Sequence, residues 1–157
     1  MGSLCALSLD AIDSTTQQTQ QTIFGGFVMR IERFEDIKAW QEARYLVKLV
    51  YAAIKGNIVF RRDLRLVSQV QAAAVSCMAN IAEGFSRQGD KEFIQFLFIA
   101  KSSAAEVQSH LYVALDQGYL PETDFTIIYQ LAEQVSKIAS GLIKYLKKPS
   151  HSTQQTQ

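Results

Sequence analysis

In the central part of the chain, apolar residues recur at threes and fours, the period of one face of an α-helix. The first such stretch runs from about Phe34 to Ile54, with Phe34, Ile37, Trp40, Val47, Val50, Tyr51 and Ile54 as its stripe. Gly56-Asn57 ends it, because both residue types tolerate the left-handed conformation of a helix stop. A second runs from Arg62-Asp63 to about Phe85, striped by Leu64, Val67, Val75, Met78, Ile81 and Phe85. Its alanines, Ala72 to Ala74 and Ala79, favour helix and permit close approach of a neighbour, whereas Gly84 weakens the last turn. The third opens after Gly89, with Asp90 and Glu92 facing the positive end of the helix dipole, and closes at Gln117-Gly118. Pro121 starts the fourth, where a missing N–H costs nothing. Phe125, Ile128, Leu131, Val135, Ile138, Leu142 and Tyr145 are its stripe, and Pro149 closes it.

Four helices joined by short links predict an all-α fold, an antiparallel up-down-up-down four-helix bundle spanning residues 29–148. No β-alternation of useful length is expected. In the third helix, Phe93-Ile94-Gln95-Phe96-Leu97-Phe98-Ile99-Ala100 is apolar almost all round. One bundle core covers one stripe, so a partner subunit is the simplest cover for the other.

Both ends read differently. Residues 1–28 form an extension expected to be disordered, since the Gln/Thr tract Thr15 to Thr22 buries too little to offset its ordering entropy. The tail, residues 149–157, nearly repeats that tract and is expected to behave likewise. Two readings fit both tracts: functional linkers, or, as the simpler expectation, a translated nucleotide repeat with Met29 as the domain's start. No secretory signal is recognised and no apolar run reaches the roughly 18 residues of a membrane span, so a cytoplasmic protein without a membrane is expected.

Composition changes this picture little. The chain is 48% hydrophobic and 20% charged, with a formal net charge of +1, ordinary values for a globular domain. All 16 Lys and Arg fall between Arg30 and Lys148, a mild basic excess that does not by itself require a nucleic-acid partner. Two cysteines, Cys5 and Cys77, form no framework. Cys77 reads as a buried free thiol in a reducing compartment.

Catalytic machinery is not visible. The domain's one histidine, His110, follows Glu106 by four residues and is expected to pair with it. The Glu-x-x-His spacing of carboxylate-bridged metal bundles is missing, as are a phosphate loop, a nucleophile elbow and any Cys/His cluster. No metal or cofactor and no enzymatic activity are expected. The basic residues are more suggestive. Lys55, Arg61, Arg62 and Arg65 gather at one end of the bundle. Arg87, Lys91, Lys144, Lys147 and Lys148 gather at the other, as candidate phosphate contacts, although lysines also suit a helix C-terminus without any ligand. Aromatic residues for base stacking are not interleaved with these charges in the sequence.

The stretch Ala79-Asn80-Ile81-Ala82-Glu83-Gly84-Phe85, followed by Arg87, resembles the signature of the 23S rRNA intervening-sequence proteins, also called the four-helix bundle protein family. Phe34-Glu35-Asp36-Ile37 with Trp40-Gln41, Lys91-Glu92-Phe93 with Phe96-Leu97, and Gly118-Tyr119-Leu120 extend the likeness over about Phe34 to Leu146. Met78 and Gln71 depart from it, standing where a proline and a basic residue are usual. The resemblance implies a cytoplasmic bacterial protein that assembles into a ring-like homo-oligomer, often a pentamer, and it implies no enzyme. A related bundle is an accessory subunit of retroelement reverse transcriptases.

Within the signature, Asn80 and Glu83 are expected to cap or hydrogen-bond the loop after the second helix, Gly84 to be structural, and Trp40 to lie in the core or a subunit interface. Function is thus expected to be that of an oligomeric scaffold contacting RNA or a ribonucleoprotein through basic surface. The alternative is a protein-interaction module or accessory subunit.

Overall fold

The computed structural model describes residues 21–24, 27–87 and 89–148. The expectations for residues 1–20 and 149–157 lie outside them. The chain divides into two units between Glu32 and Arg33. In the first, β1 (Gln21–Phe24) pairs antiparallel with β2 (Phe27–Arg30), in a register that sets Phe24 opposite Phe27. These two short strands lie ahead of the helical unit, in a stretch where no strand was expected. The signal was present: β-forming residues flank Gly25-Gly26, a pair suited to a two-residue hairpin.

The second unit is a helical bundle. A 3-10 turn, Phe34–Asp36, leads into α1 (Lys38–Gly56), followed by the short α2 (Ile58–Arg62), then α3 (Leu64–Ser86), α4 (Asp90–Asp116) and α5 (Glu122–Leu146). Four of these five helices are long. α1 packs on α3 and α5, and α4 packs on the same two helices. Ser76 meets Ser103 at 2.9 Å while Gly84 meets Phe93 and Phe96, so α3 and α4 run in opposite directions. α4 and α5 also run oppositely, since Gln108 reaches the Tyr129 carbonyl while the Tyr112 ring meets that of Phe125 at 5.0 Å.

The buried stripes differ from those read off the large side chains. On α1 the buried residues are Ala39, Ala43, Leu46, Val50 and Ile54; Trp40 is half-buried and Tyr51 exposed. On α3 they are Leu66, Val70, Ala73, Ala74, Cys77, Ile81 and Gly84, leaving Leu64 and Val75 exposed. On α5 they are Ile128, Leu131, Ala132, Val135, Ala139, Ile143 and Leu146, with Tyr145 exposed. The reason is close approach. Small side chains let helix axes come together, and the larger residues beside them then point past the contact.

Asn57 organises the turn between α1 and α3. Its side-chain oxygen accepts from the Val59 and Phe60 N–H groups at 2.8 and 3.0 Å, capping α2. Its amide donates to the Tyr119 carbonyl at 2.9 Å, and Phe60 stacks on the Tyr119 ring at 5.3 Å. Asp63 caps α3 by accepting from Leu66 N–H at 3.0 Å. After α4 the chain turns through Gly118 at φ 67°, a conformation that favours glycine. Asn57→Ala removes one cap and leaves a carbonyl unpartnered. A loss of about 1–2 kcal/mol is expected, read as a lower urea midpoint at unchanged slope.

Cys77 is buried, as expected, and burial pushes its thiol up to about 12 from 9.0. Between those values the unfolded chain releases a proton that the native chain keeps, so stability falls as pH rises through that window and is fully present below it. In a Cys5→Ser background, the alkaline decline of the thermal midpoint is expected to be steeper with Cys77 than with Cys77→Ala.

Candidate nucleic-acid interface

α4 and the end of α5 bring together basic residues that lie far apart in sequence. On α4, Lys91 and Phe98 are seven residues apart and share one stripe, about 10 Å apart along the axis, with Lys101 a turn further on. Lys144, Lys147 and Lys148 stand at threes and fours at the close of α5, and all three are exposed. The tertiary fold joins the two groups at Phe98, a residue 48% exposed. Lys147 Nζ lies 5.4 Å from the ring centroid and Lys101 Nζ 5.6 Å. Exposed contacts of this kind are worth only about 0.5–1 kcal/mol, so both ammonium groups are held loosely. Among the described residues, Lys91, Lys101, Lys144, Lys147 and Lys148 make no ion pair. Two lysines against one half-exposed aromatic residue, with Lys91 at the start of α4 and Lys144 and Lys148 at the end of α5, form a positive surface.

The five cations named from the sequence are therefore not one cluster. Arg87 is set apart. Its guanidinium pairs with Glu83 at 2.7 Å and lies 5.4 Å from the Phe96 ring. Phe96 and Phe98 are two residues apart, roughly 200° around the helix, so Arg87 lies on the α3 side of α4 and Lys147 on the α5 side. The expectation of no interleaved aromatics is also overturned. Spacing on α4 alone would have shown Phe98 with Lys91 and Lys101, but Lys147 reaches it only through the packing of α5 on α4.

The signature residues take structural positions. Asn80 donates to the Ser76 carbonyl and hydroxyl at 2.7 and 3.0 Å, one turn back on its own helix. It thus faces a polar seam, completed by the buried Ser103, rather than the following loop. Glu83 holds Arg87, the residue at the C-cap of α3. Gly84 is buried against α4: a Cβ there would meet Phe96 Cβ at 2.6 Å and Phe93 Cδ2 at 2.8 Å. Trp40 packs edge-on against Phe34 at 5.0 Å with Arg44 over its ring at 5.8 Å, at the rim of the core.

At the other end, Lys55, Arg61, Arg62 and Arg65 are exposed around α2, beside the exposed Ile58, Val59 and Leu64. α3 separates this group from Arg87 by about 35 Å. His110 is half-buried, and no ion pair joins it to Glu106 among the described residues. Residues four apart on a helix can meet, yet the exposed Glu106 stays solvated. Among the described residues, no group of three or more His, Cys, Asp or Glu is placed to hold a metal ion. No helix among them is long and apolar enough to cross a membrane.

The second face of α4 stays half open within the chain. Phe93, Leu97 and Ala100 are buried, but Phe98, Ile99, Tyr112 and Val113 are 43 to 50% exposed. Ile99 and Val113 are fourteen residues apart and so lie on one stripe, next to that of Phe98 and Tyr112.

Comparison with known proteins gives two findings. The family model described as 23S rRNA-intervening sequence protein matches residues 35–141. A crystal structure of a protein of unknown function from the S23 ribosomal protein family of Bacteroides thetaiotaomicron is similar in fold, with a TM-score of 0.58 at 22% identity. The similarity covers 71% of this chain and 98% of that one. No curated protein matches the chain.

Proposed function

The chain belongs to the 23S rRNA-intervening sequence protein family, and from that membership we propose that it is a non-catalytic scaffold, cytoplasmic and self-associating, that contacts RNA or a ribonucleoprotein. The observation that carries this reading is Lys101 and Lys147 against Phe98, with Lys91, Lys144 and Lys148 at the adjoining ends of α4 and α5, none of the five in an ion pair among the described residues. Unpaired ammonium groups at the surface exchange condensed counterions for phosphates, which gives affinity without sequence readout. The exposed stripe of Ile99 and Val113 supports assembly with further copies of the chain, a pentameric ring included.

The test is binding of RNA to the full chain across a salt series. Contact with five lysines predicts a slope of log K against log salt of about −3.5 for a single strand. Binding that ignores salt, or no binding at 50 mM salt, overturns the reading.

A second reading rests on the same half-open face of α4. A near-neutral chain with an exposed apolar stripe also suits an accessory subunit docked on another protein, such as a retroelement reverse transcriptase. In that case, substitution at Ile99 and Val113 abolishes docking, while lysine reversal at the end of α5 spares it.

A further inference from the structure

The geometry points to Phe98 as a base-stacking platform, which makes the ligand of the lysine group single-stranded rather than duplex RNA. This rests on the RNA reading above and narrows it to a strand with unpaired bases.

Phe98 is about half exposed, although Leu97 beside it is fully buried. Burial in the core therefore does not explain the aromatic residue. Lys101 and Lys147 approach the ring from two different helices, so cations bracket it at 5.6 and 5.4 Å. A nucleotide carries the two groups that this arrangement accepts together: a flat π-face for the ring and a phosphate for each ammonium. On binding, the lysines give up a weak, water-exposed contact with the ring and take charge-assisted hydrogen bonds to phosphate. The ring face they release is taken by the base. Stacking of this kind tolerates any base, since every base has a π-face.

A duplex cannot use the ring. Its bases are already stacked on each other, and it offers only its backbone to the lysines. Lys91, on the same stripe of α4, extends the charged track along the strand in one direction, and Lys144 and Lys148 surround the point where α5 ends.

The experiment compares a labelled 12-nucleotide single-stranded RNA with a 12-base-pair RNA duplex, by fluorescence anisotropy at fixed salt with the full chain. Phe98→Ala is expected to weaken the single strand about 5- to 100-fold, the effect of losing one stacked base, and to leave the duplex unchanged. Its salt slope should equal that of wild type, because every lysine remains. Phe98→Trp should restore the single-strand affinity. A 2-aminopurine in the strand should be quenched by wild type and by Phe98→Trp, and not by Phe98→Ala.

Equal binding of the single strand by wild type and Phe98→Ala overturns the inference and leaves the RNA reading standing. So does a loss shared by strand and duplex, or a fall in assembly mass on Phe98→Ala, which would make the ring a subunit contact. Failure of wild type to bind either RNA overturns both.

Discussion

Gly84→Leu is expected to cost the bundle about 3 kcal/mol or more, the largest effect of any single substitution outside the large core side chains. A Cβ at this position already falls 2.6 Å from the Cβ of Phe96 and 2.8 Å from the ring of Phe93. Neither neighbour moves cheaply. Phe96 is touched at its root on the α4 backbone, and Phe93 is 1% exposed, its ring held edge-on against Phe85. Leucine adds three further carbons, so α3 and α4 must separate at a contact where overpacking costs roughly 1–3 kcal/mol even for small additions. Gly84→Ala tests the same contact more gently. It gains up to about 1 kcal/mol of helix propensity while incurring the clash, and a net loss of about 1–2 kcal/mol is expected. Urea unfolding followed by helical circular dichroism measures both. An alanine variant more stable than wild type would mean that the helices part easily, and that the glycine is not there for close packing.

Reversal of Lys144, Lys147 and Lys148 to Glu is expected to lower RNA affinity on the order of 100-fold or more at moderate salt. Each lysine removed takes away one released counterion, so the slope of log K against log salt should flatten by about 2 for a single strand. Each glutamate then adds repulsion toward phosphate. Stability should change much less. The three side chains are exposed and make no ion pair among the described residues. The unfavourable placing of acids at a helix C-terminus costs about 0.3–1 kcal/mol each. The thermal midpoint checks that the bundle survives. Affinity and slope that stay at wild-type values would place the RNA contact elsewhere, with the α2 end and its Arg61, Arg62 and Arg65 as the next surface to reverse. Assembly mass separates the two proposed roles, since contacts through Ile99 and Val113 do not depend on these lysines.

The four long helices and most of their ends were legible because the forces that set them are local, whereas the short α2, capped by Asn57, was missed and Asn57 is extended rather than left-handed. Asp63 and Pro121 mark starts, and Gly118 marks a stop, through hydrogen bonds and backbone preferences within a few residues of each position. The apolar excess of α4 was legible for the same reason: eight consecutive residues exceed what one stripe can bury. Family membership was legible in the run from Asn80 to Arg87 because those residues serve a local junction.

Which face of each helix is buried was not legible from large side chains. Leu64 and Val75 on α3 are exposed, while Ala73, Ala74 and Gly84 are at the contact, because the approach of another helix, rather than hydrophobicity alone, selects the residue at an interface. The hairpin was hidden by its context, a Gln/Thr-rich approach followed by the Gly pair. The candidate site was half legible. Four of its lysines, Lys91, Lys144, Lys147 and Lys148, were named from charge alone, whereas Lys101 was missed, because sequence order does not say which residues of α4 face the end of α5.

Lys147 joined Phe98 only when α5, packed on α4, carried it to the ring. By itself, then, the sequence determined the four long helices, the family and the inventory of charge. The tertiary structure alone decided which charges stand together, which are neutralised and which aromatic ring they surround. Local propensity acts over one or two helical turns, whereas an interface is assembled from residues dozens of positions apart that only packing brings to one surface.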